Sequence, residues 1–225
     1  MKISDILDKF KELGKPGSEE EMARLGITPE KAYGVRLPDL RKMAKEIGKD
    51  HELALELWSI NTRETRILAS MIDEVKKVDG KQMERYVKDF DYWEICDQVC
   101  MNLFRKLKVA WEKAVEWSER KEEFVKRAGF VLMAVMAVHE KKVADEKFER
   151  FFPIIEREST DERDRVKKAV NWALRQIGKK NLELNKKAIK VANDLLKIDS
   201  KVAKWIAKDA LKELESKKIQ DRFSK

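Results

Sequence analysis

Glycine and proline are scarce in this chain of 225 residues, at 8 and 4. Strands joined by hairpins need frequent turn residues, so a sheet protein is excluded. Cysteine occurs only as Cys96 and Cys100, which removes a disulfide framework and points to a reducing, cytoplasmic setting. Histidine occurs only as His51 and His139. With no second ligand pair, the i, i+4 cysteines read as core, and no metal is expected. The longest apolar run, Ala128 to Val138, falls far short of the roughly 18 to 20 residues of a membrane span. Met1 to Phe10 mixes charged and apolar residues, so neither a secretory leader nor a membrane association is expected. No phosphate-cradling glycine loop, G-x-S-x-G elbow or H-E-x-x-H pair is present, and no cofactor is expected.

What is present favours helices. Hydrophobic residues make up 43% of the chain, enough for a real core, so wholesale disorder is excluded. Lys, Glu, Leu, Ala and Arg dominate, all good helix formers; abundant Lys and Glu is also a pattern of proteins from hot environments. Lys plus Arg is 50 against 42 for Asp plus Glu, a net of +8. From Asp161 to Lys225 there are 19 basic and 10 acidic residues, a net of +9, so the first 160 residues sum to −1. A basic C-terminal third suits a polyanionic partner, and equally a solvated helix surface.

Helical periodicity predicts helices over 3–13, 18–25, 38–48, 50–59, 62–77, 81–89, 92–107, 109–119, 121–138, 145–157, 162–178, 182–196 and 199–216. Asp91 and Glu94 fit a capping box, Pro38 suits a first helical turn, and Gly80 and Gly178 sit where helices should stop. Thr62–Val75, Cys96–Leu107, Glu122–Val138, Arg163–Gly178 and Ser200–Glu215 form a loose repeat, starting 26 to 41 residues apart. That spacing describes an all-α solenoid of HEAT or armadillo type, with a compact bundle as the alternative. The run after Arg127 is apolar on every face, as for a helix covered by both neighbours.

Three residues break the core pattern, and such breaks tend to mark functional sites. On helix 162–178 the stripe Val166, Ala169, Val170, Ala173, Leu174 and Ile177 spans roughly 140°, and Trp172 lies outside it beside Arg165, Lys168, Arg175 and Lys179. An aromatic among cations is what a nucleic-acid surface offers, although Trp172 could also pack on an adjacent helix. Trp93 and Asp97 are i and i+4, with Met101 and Phe104 continuing their face. A carboxylate there is expected to meet little water, and has either a chemical role or a structural partner. Arg127, the last charge before the apolar run, could pair with Asp97 or take a phosphate bidentately. Trp58, Trp111, Trp117 and Trp205 read as packing residues.

These residues lie in recognisable motifs. Y-G-V-R-L-P-D-L-R-K-M-A-K (33–45), L-W-S-I-N-T-R-E-T-R-I-L-A (57–69), D-Y-W-E-I-C-D-Q (91–98), V-K-R-A-G-F (125–130) and K-K-A-V-N-W-A-L-R-Q-I-G-K-K-N (167–181) occur in order. Together they resemble the DNA alkylation repair family of HEAT-like-repeat DNA glycosylases, the AlkD type, over nearly the whole chain. The resemblance implies one domain over 1–225, a superhelix of HEAT-like repeats with a concave basic groove. It implies a monomer that excises cationic alkylpurines, such as 3-methyladenine and 7-methylguanine, from double-stranded DNA without flipping the base. Carried over, Asp97 is the catalytic carboxylate, Trp93 and Trp172 the flanking aromatics, and Arg127 a backbone-binding residue. Arg165, Lys168, Arg175, Lys179 and Lys180 would anchor phosphates around the lesion. Family members often carry a second Trp before the motif Trp; here it is Tyr92. The competing readings are a non-catalytic DNA-binding solenoid and a HEAT-type scaffold for protein partners.

Overall fold

The computed structural model describes residues 1–15, 23 and 32–223, and among them all regular structure is helical. The helix expected over 18–25 lies, Ala23 apart, outside the described residues. The chain divides into two compact units, Met1–Leu107 and Lys108–Lys225.

The first unit contains α1 (Ile3–Leu13), α2 (Leu37–Ile47), α3 (His51–Ile60), α4 (Arg63–Ile72), α5 (Gly80–Lys88) and α6 (Trp93–Asn102), then a single 3-10 turn, Phe104–Lys106. Local chemistry sets the starts. Pro38 occupies the first turn of α2, where its missing N–H costs nothing. Asp50 caps α3, accepting from the Leu53 amide at 3.0 Å. Thr62 and Thr65 cap α4 reciprocally. Within this unit α4 packs between α2 and α6, and α3 packs on α4.

The second unit contains α7 (Ala110–Ser118), α8 (Glu123–His139), α9 (Asp145–Glu149), α10 (Phe152–Arg157), α11 (Asp164–Gly178), α12 (Leu182–Leu196), α13 (Lys201–Leu214) and α14 (Lys217–Phe223). Here α8 packs between α7 and α11, and α11 also meets α12 and α13. Ala128 through Ala137 is buried without interruption, as the all-round apolar sequence requires. Gly129 sits where α7 comes closest: a Cβ there would lie 2.7 Å from the Ser118 nitrogen and 2.9 Å from the Ala114 oxygen. Glycine is needed for that close backbone approach.

Several expected boundaries move, each for a physical reason. The helix expected to reach 77 ends at Ile72, because Asp73 turns to extended backbone (φ −59°, ψ 143°). Its carboxylate is taken by His51 Nδ1 at 2.7 Å and Gln82 Nε2 at 2.7 Å. The segment 92–107 breaks at Leu103 into α6 and the 3-10 turn. The segment 145–157 breaks ahead of Pro153, which cannot donate into a continuing ladder. Gly80 opens α5 instead of closing its predecessor, since Asp79 caps that helix through the Gln82 amide at 2.7 Å. α14 was not expected from the periodicity.

Candidate functional site

In the first unit the candidate residues stand on α6. Trp93 and Asp97 are one turn apart and both half-buried, and Met101 continues the face with similar exposure. Asp97 is therefore not starved of water, contrary to the sequence expectation. Phe104 does not continue the face, because the break at Leu103 turns it into the core, where it is fully buried. The opposite face of α6, including Ile95, Cys96, Val99 and Cys100, is buried. The buried position of both cysteines agrees with their reading as core. Tyr92 precedes the helix as its N-cap, buried, with its ring tilted against Trp93 at 5.4 Å.

The capping box expected from Asp91 and Glu94 does not form: the N-cap is Tyr92, without a side-chain cap. Glu94 is committed elsewhere. Its carboxylate accepts from Arg63 Nε at 2.7 Å and Nη2 at 2.9 Å. Arg63 Nη1 also donates to Glu64 Oε1 at 2.8 Å and to the Val35 carbonyl at 2.9 Å. Glu64, fully buried, accepts from the Tyr33 and Val35 amides at 2.9 and 3.2 Å. Burial works to lower the Arg63 pKa, but Glu94 and then Glu64 outweigh it and hold the guanidinium above its usual value. This node fastens α4 to the residue next to Trp93, and so fixes the turn that carries Trp93 and Asp97. Sequence reasoning missed it. The available signal was Arg63, Glu64 and Arg66 crowded into an otherwise apolar repeat helix.

In the second unit the core stripe of α11 is buried throughout and Trp172 stands off it, half-buried. With the Gln176 amide oriented so that its oxygen meets donors, Trp172 Nε1 donates to it at 2.9 Å and Lys179 Nζ at 3.1 Å. The indole edge is thereby anchored one turn along its own helix, which leaves the ring faces for contact.

The cations around Trp172 are less available than their number suggests. Arg175 Nη1 and Lys179 Nζ share Glu213, at 2.8 and 2.6 Å. Lys168 pairs with Asp164 at 2.7 Å, and its hydrogen bond holds that carboxyl below the usual range. Lys180 Nζ is held by the Glu140 carbonyl at 2.9 Å and lies 4.7 Å over the Phe148 ring. Arg165 makes no ion pair among the described residues. Arg127 is only 6% exposed, and its Nη1 donates to the Arg165 carbonyl at 2.6 Å, tying α8 to the first turn of α11.

The other tryptophans divide. Trp58 is buried, stacks on Tyr86 at 3.6 Å and donates to Asp89 at 2.8 Å. Trp117 is fully buried, and Trp111 stacks on Phe151. Trp205 departs from the packing expectation: it is 40% exposed on α13, with Lys167 Nζ 5.6 Å over its ring. α13 packs on α11, so these two helices carry a second aromatic-and-cation pair, Trp205 with Lys167.

Chemically, α6 offers an accessible carboxylate beside an indole, suited to stabilising a transient cation. α11 offers an indole among cations, suited to a sugar-phosphate backbone.

A family model for DNA alkylation repair enzymes matches residues 6–214. Nothing matches among curated proteins. Among solved structures, one matching protein is described as belonging to a new family related to the HEAT-like repeat DNA glycosylases, with affinity for branched DNA structures. It superposes with a TM-score of 0.79 at 19% identity, covering 93% of this chain and 94% of that one. The fold is thus the all-α, HEAT-like repeat fold.

Proposed function

The chain belongs to the family of DNA alkylation repair enzymes, and from that premise we propose that it is a DNA glycosylase. It hydrolyses the N-glycosidic bond of cationic alkylpurines, 3-methyladenine and 7-methylguanine, in duplex DNA. The observation that carries this reading is the pairing on α6 of a half-buried Asp97 with Trp93 one turn before it, both partly exposed.

Alkylation at N3 or N7 gives the base a positive charge and makes it a good leaving group. As the bond from C1′ to the base nitrogen breaks, its electron pair leaves with the base, which departs neutral. The sugar becomes oxocarbenium-like. The Asp97 carboxylate stabilises that charge and orients a water. The water oxygen bonds to C1′, and its released proton passes to Asp97 or to solvent. The face of Trp93 holds the cationic deoxyribose through its ring quadrupole, and Trp172 offers an aromatic face to the DNA from the second unit. Arg127, Arg165, Lys168, Arg175, Lys179 and Lys180 take phosphates around the lesion. Arg127 does so while also holding the Arg165 carbonyl. No base-reading pocket enters the scheme, so the lesion is engaged through its sugar and backbone as the base stays stacked. The enzyme acts as a monomer in the cytoplasm.

A second reading, a DNA-binding protein without excision, is favoured by the branched-DNA affinity of the structural neighbour. Release of 7-methylguanine from methylated duplex separates the two. Asp97→Asn abolishes release while duplex binding persists. A wild-type protein that binds but releases no base supports the second reading, and equal release by both proteins removes Asp97 from the chemistry.

A further inference from the structure

One turn beyond Trp172 on α11, the second unit opens into a cavity of about 520 Å³, within the size range of small-ligand sites. Lys141, Lys179, Lys180 and Arg222 line it, with Asp145 the single carboxylate. Asp145 is already engaged, accepting from Asn181 Nδ2 at 3.0 and 2.7 Å. Among the cations, Lys179 shares Glu213 with Arg175. Lys180 is braced by the Glu140 carbonyl and by the weaker contact to the Lys141 carbonyl at 3.4 Å. Carbonyls and a ring face orient that ammonium without cancelling its charge. Lys141 and Arg222 are exposed and make no ion pair among the described residues. The cavity therefore carries an uncompensated positive charge.

The rest of its wall is apolar. Val138 is 44% exposed here, just where the buried run of α8 ends, and Ala137 lies beside it. Cations over an apolar floor are the chemistry that receives a phosphate together with its sugar or base. The volume exceeds what a lone phosphate fills. Gln176 joins the cavity to the site described above, lining the one and accepting from the Trp172 indole of the other. From Trp172 to Lys179 the helix advances about 10 Å at 1.5 Å per residue, on the order of three nucleotide steps of one strand.

We propose that this cavity is a nucleotide-phosphate site that holds one nucleotide unit, with its phosphate on Lys141, Lys180 and Arg222 and its apolar part on Val138. The inference rests on the reading that the protein binds DNA, not on its being an excising enzyme. A single strand diverging from the duplex near Trp172 would deliver such a unit, and a free nucleotide carries the same chemistry.

The test compares the wild type with Lys141→Ala/Arg222→Ala on three ligands: blunt duplex and the same duplex with a five-nucleotide single-stranded flap, by anisotropy, and free dTMP, by direct binding. Both side chains are exposed, and equal melting temperatures establish an intact fold. The wild type prefers the flapped duplex. The double variant binds it about tenfold more weakly, with a log–log salt slope shallower by up to about 1, as for one phosphate, while blunt-duplex binding stays within twofold. Arg222→Lys restores part of the loss. Direct binding of dTMP that the double variant lacks, without any flap preference, supports the site and identifies the free nucleotide as its source. Equal binding of flapped and blunt duplex without binding of dTMP overturns the proposal. So does a variant that weakens blunt duplex as much as flapped, because the cavity is then only part of the duplex footprint. Excision of 7-methylguanine from blunt duplex, measured in parallel, keeps failure of the glycosylase reading distinct. Its absence with flap preference intact removes the chemistry and leaves the cavity.

Discussion

The two units solve different problems with the same kind of helix. Residues 1–107 carry 20 basic and 21 acidic side chains; residues 108–225 carry 30 and 21. Each unit carries a half-buried tryptophan on a helix packed against the unit's central helices, Trp93 on α6, which packs on α4, and Trp172 on α11, which packs on α8, α12 and α13. α6 contains no Lys or Arg at all. Its face presents a carboxylate and an indole, and its charged support lies behind it in the Arg63–Glu94 node. α11 presents its indole among cations, most of them already on carboxylates or carbonyls. In the proposed reaction the first arrangement would serve the cationic intermediate and the second the phosphate backbone. The difference also shows that counting charges overstates what a partner can use: a surplus of nine in one unit is spread over side chains that are partly spent on their own fold.

The contrast is broken most sharply at Arg63. Arg63→Ala leaves Glu64 and Glu94 without their shared cation, Glu64 being fully buried. Removing one partner of a buried pair costs about 3–5 kcal/mol, and that loss is expected in urea unfolding. Arg63→Lys recovers only part of it, because an ammonium cannot span both Glu94 oxygens and the Val35 carbonyl as the planar fork does. A loss below about 1 kcal/mol would mean that the node is ornamental and that α6 is held by apolar packing alone.

The second unit has its counterpart in a glycine. Gly129→Ala puts a methyl group against the α7 backbone at Ser118 and Ala114, so the helices must separate. Overpacking of this kind costs about 1–3 kcal/mol. An exposed helical glycine would gain stability from the same change. A lowered melting temperature therefore identifies close backbone approach as what holds α7 to α8, and a raised one removes that explanation.

The sequence made the helices legible because their periodicity is strong, and it located Trp93, Asp97, Arg127 and Trp172 through breaks in that periodicity. Helix ends were less legible. Asp73, Leu103 and Pro153 interrupt segments that read as continuous, and a turn shows itself only weakly in an apolar pattern. Glu94 misled for a related reason. Its spacing from Asp91 fits a capping box, but a tertiary partner 31 residues away competes for the same carboxylate, and no local rule reports such a competitor. Trp205 was misread because α13 has an apolar stripe that could have absorbed it; the structure leaves it 40% exposed beside Lys167. Ion pairing was the least legible feature, since Glu213 meets Arg175 and Lys179 across 38 and 34 residues.

The smallest expected effect tests that last point. Burial pushes the Glu213 carboxyl upward, but Lys179 and then Arg175 outweigh it, so its pKa falls below the ordinary 4.5. A depressed folded-state value means that the clamp stabilises fully above about pH 4.5 and is lost as pH falls through the lowered value. Near neutrality it is constant, so pH alone cannot release Arg175 and Lys179 there. Glu213→Gln does so: it keeps the shape and removes the charge. The pair is about one-third exposed, so the stability loss should stay below about 1 kcal/mol. Freed from Glu213, Lys179 can neutralise a phosphate, and Arg175 keeps only the longer contact to Asp209 at 3.6 Å. Duplex binding at low salt should tighten several-fold, and its log–log salt slope should steepen by about 1 to 2. An unchanged slope would mean that both cations remain committed to α13, and that the phosphate grip of the second unit rests on Arg165, Lys180 and other lysines without a carboxylate partner.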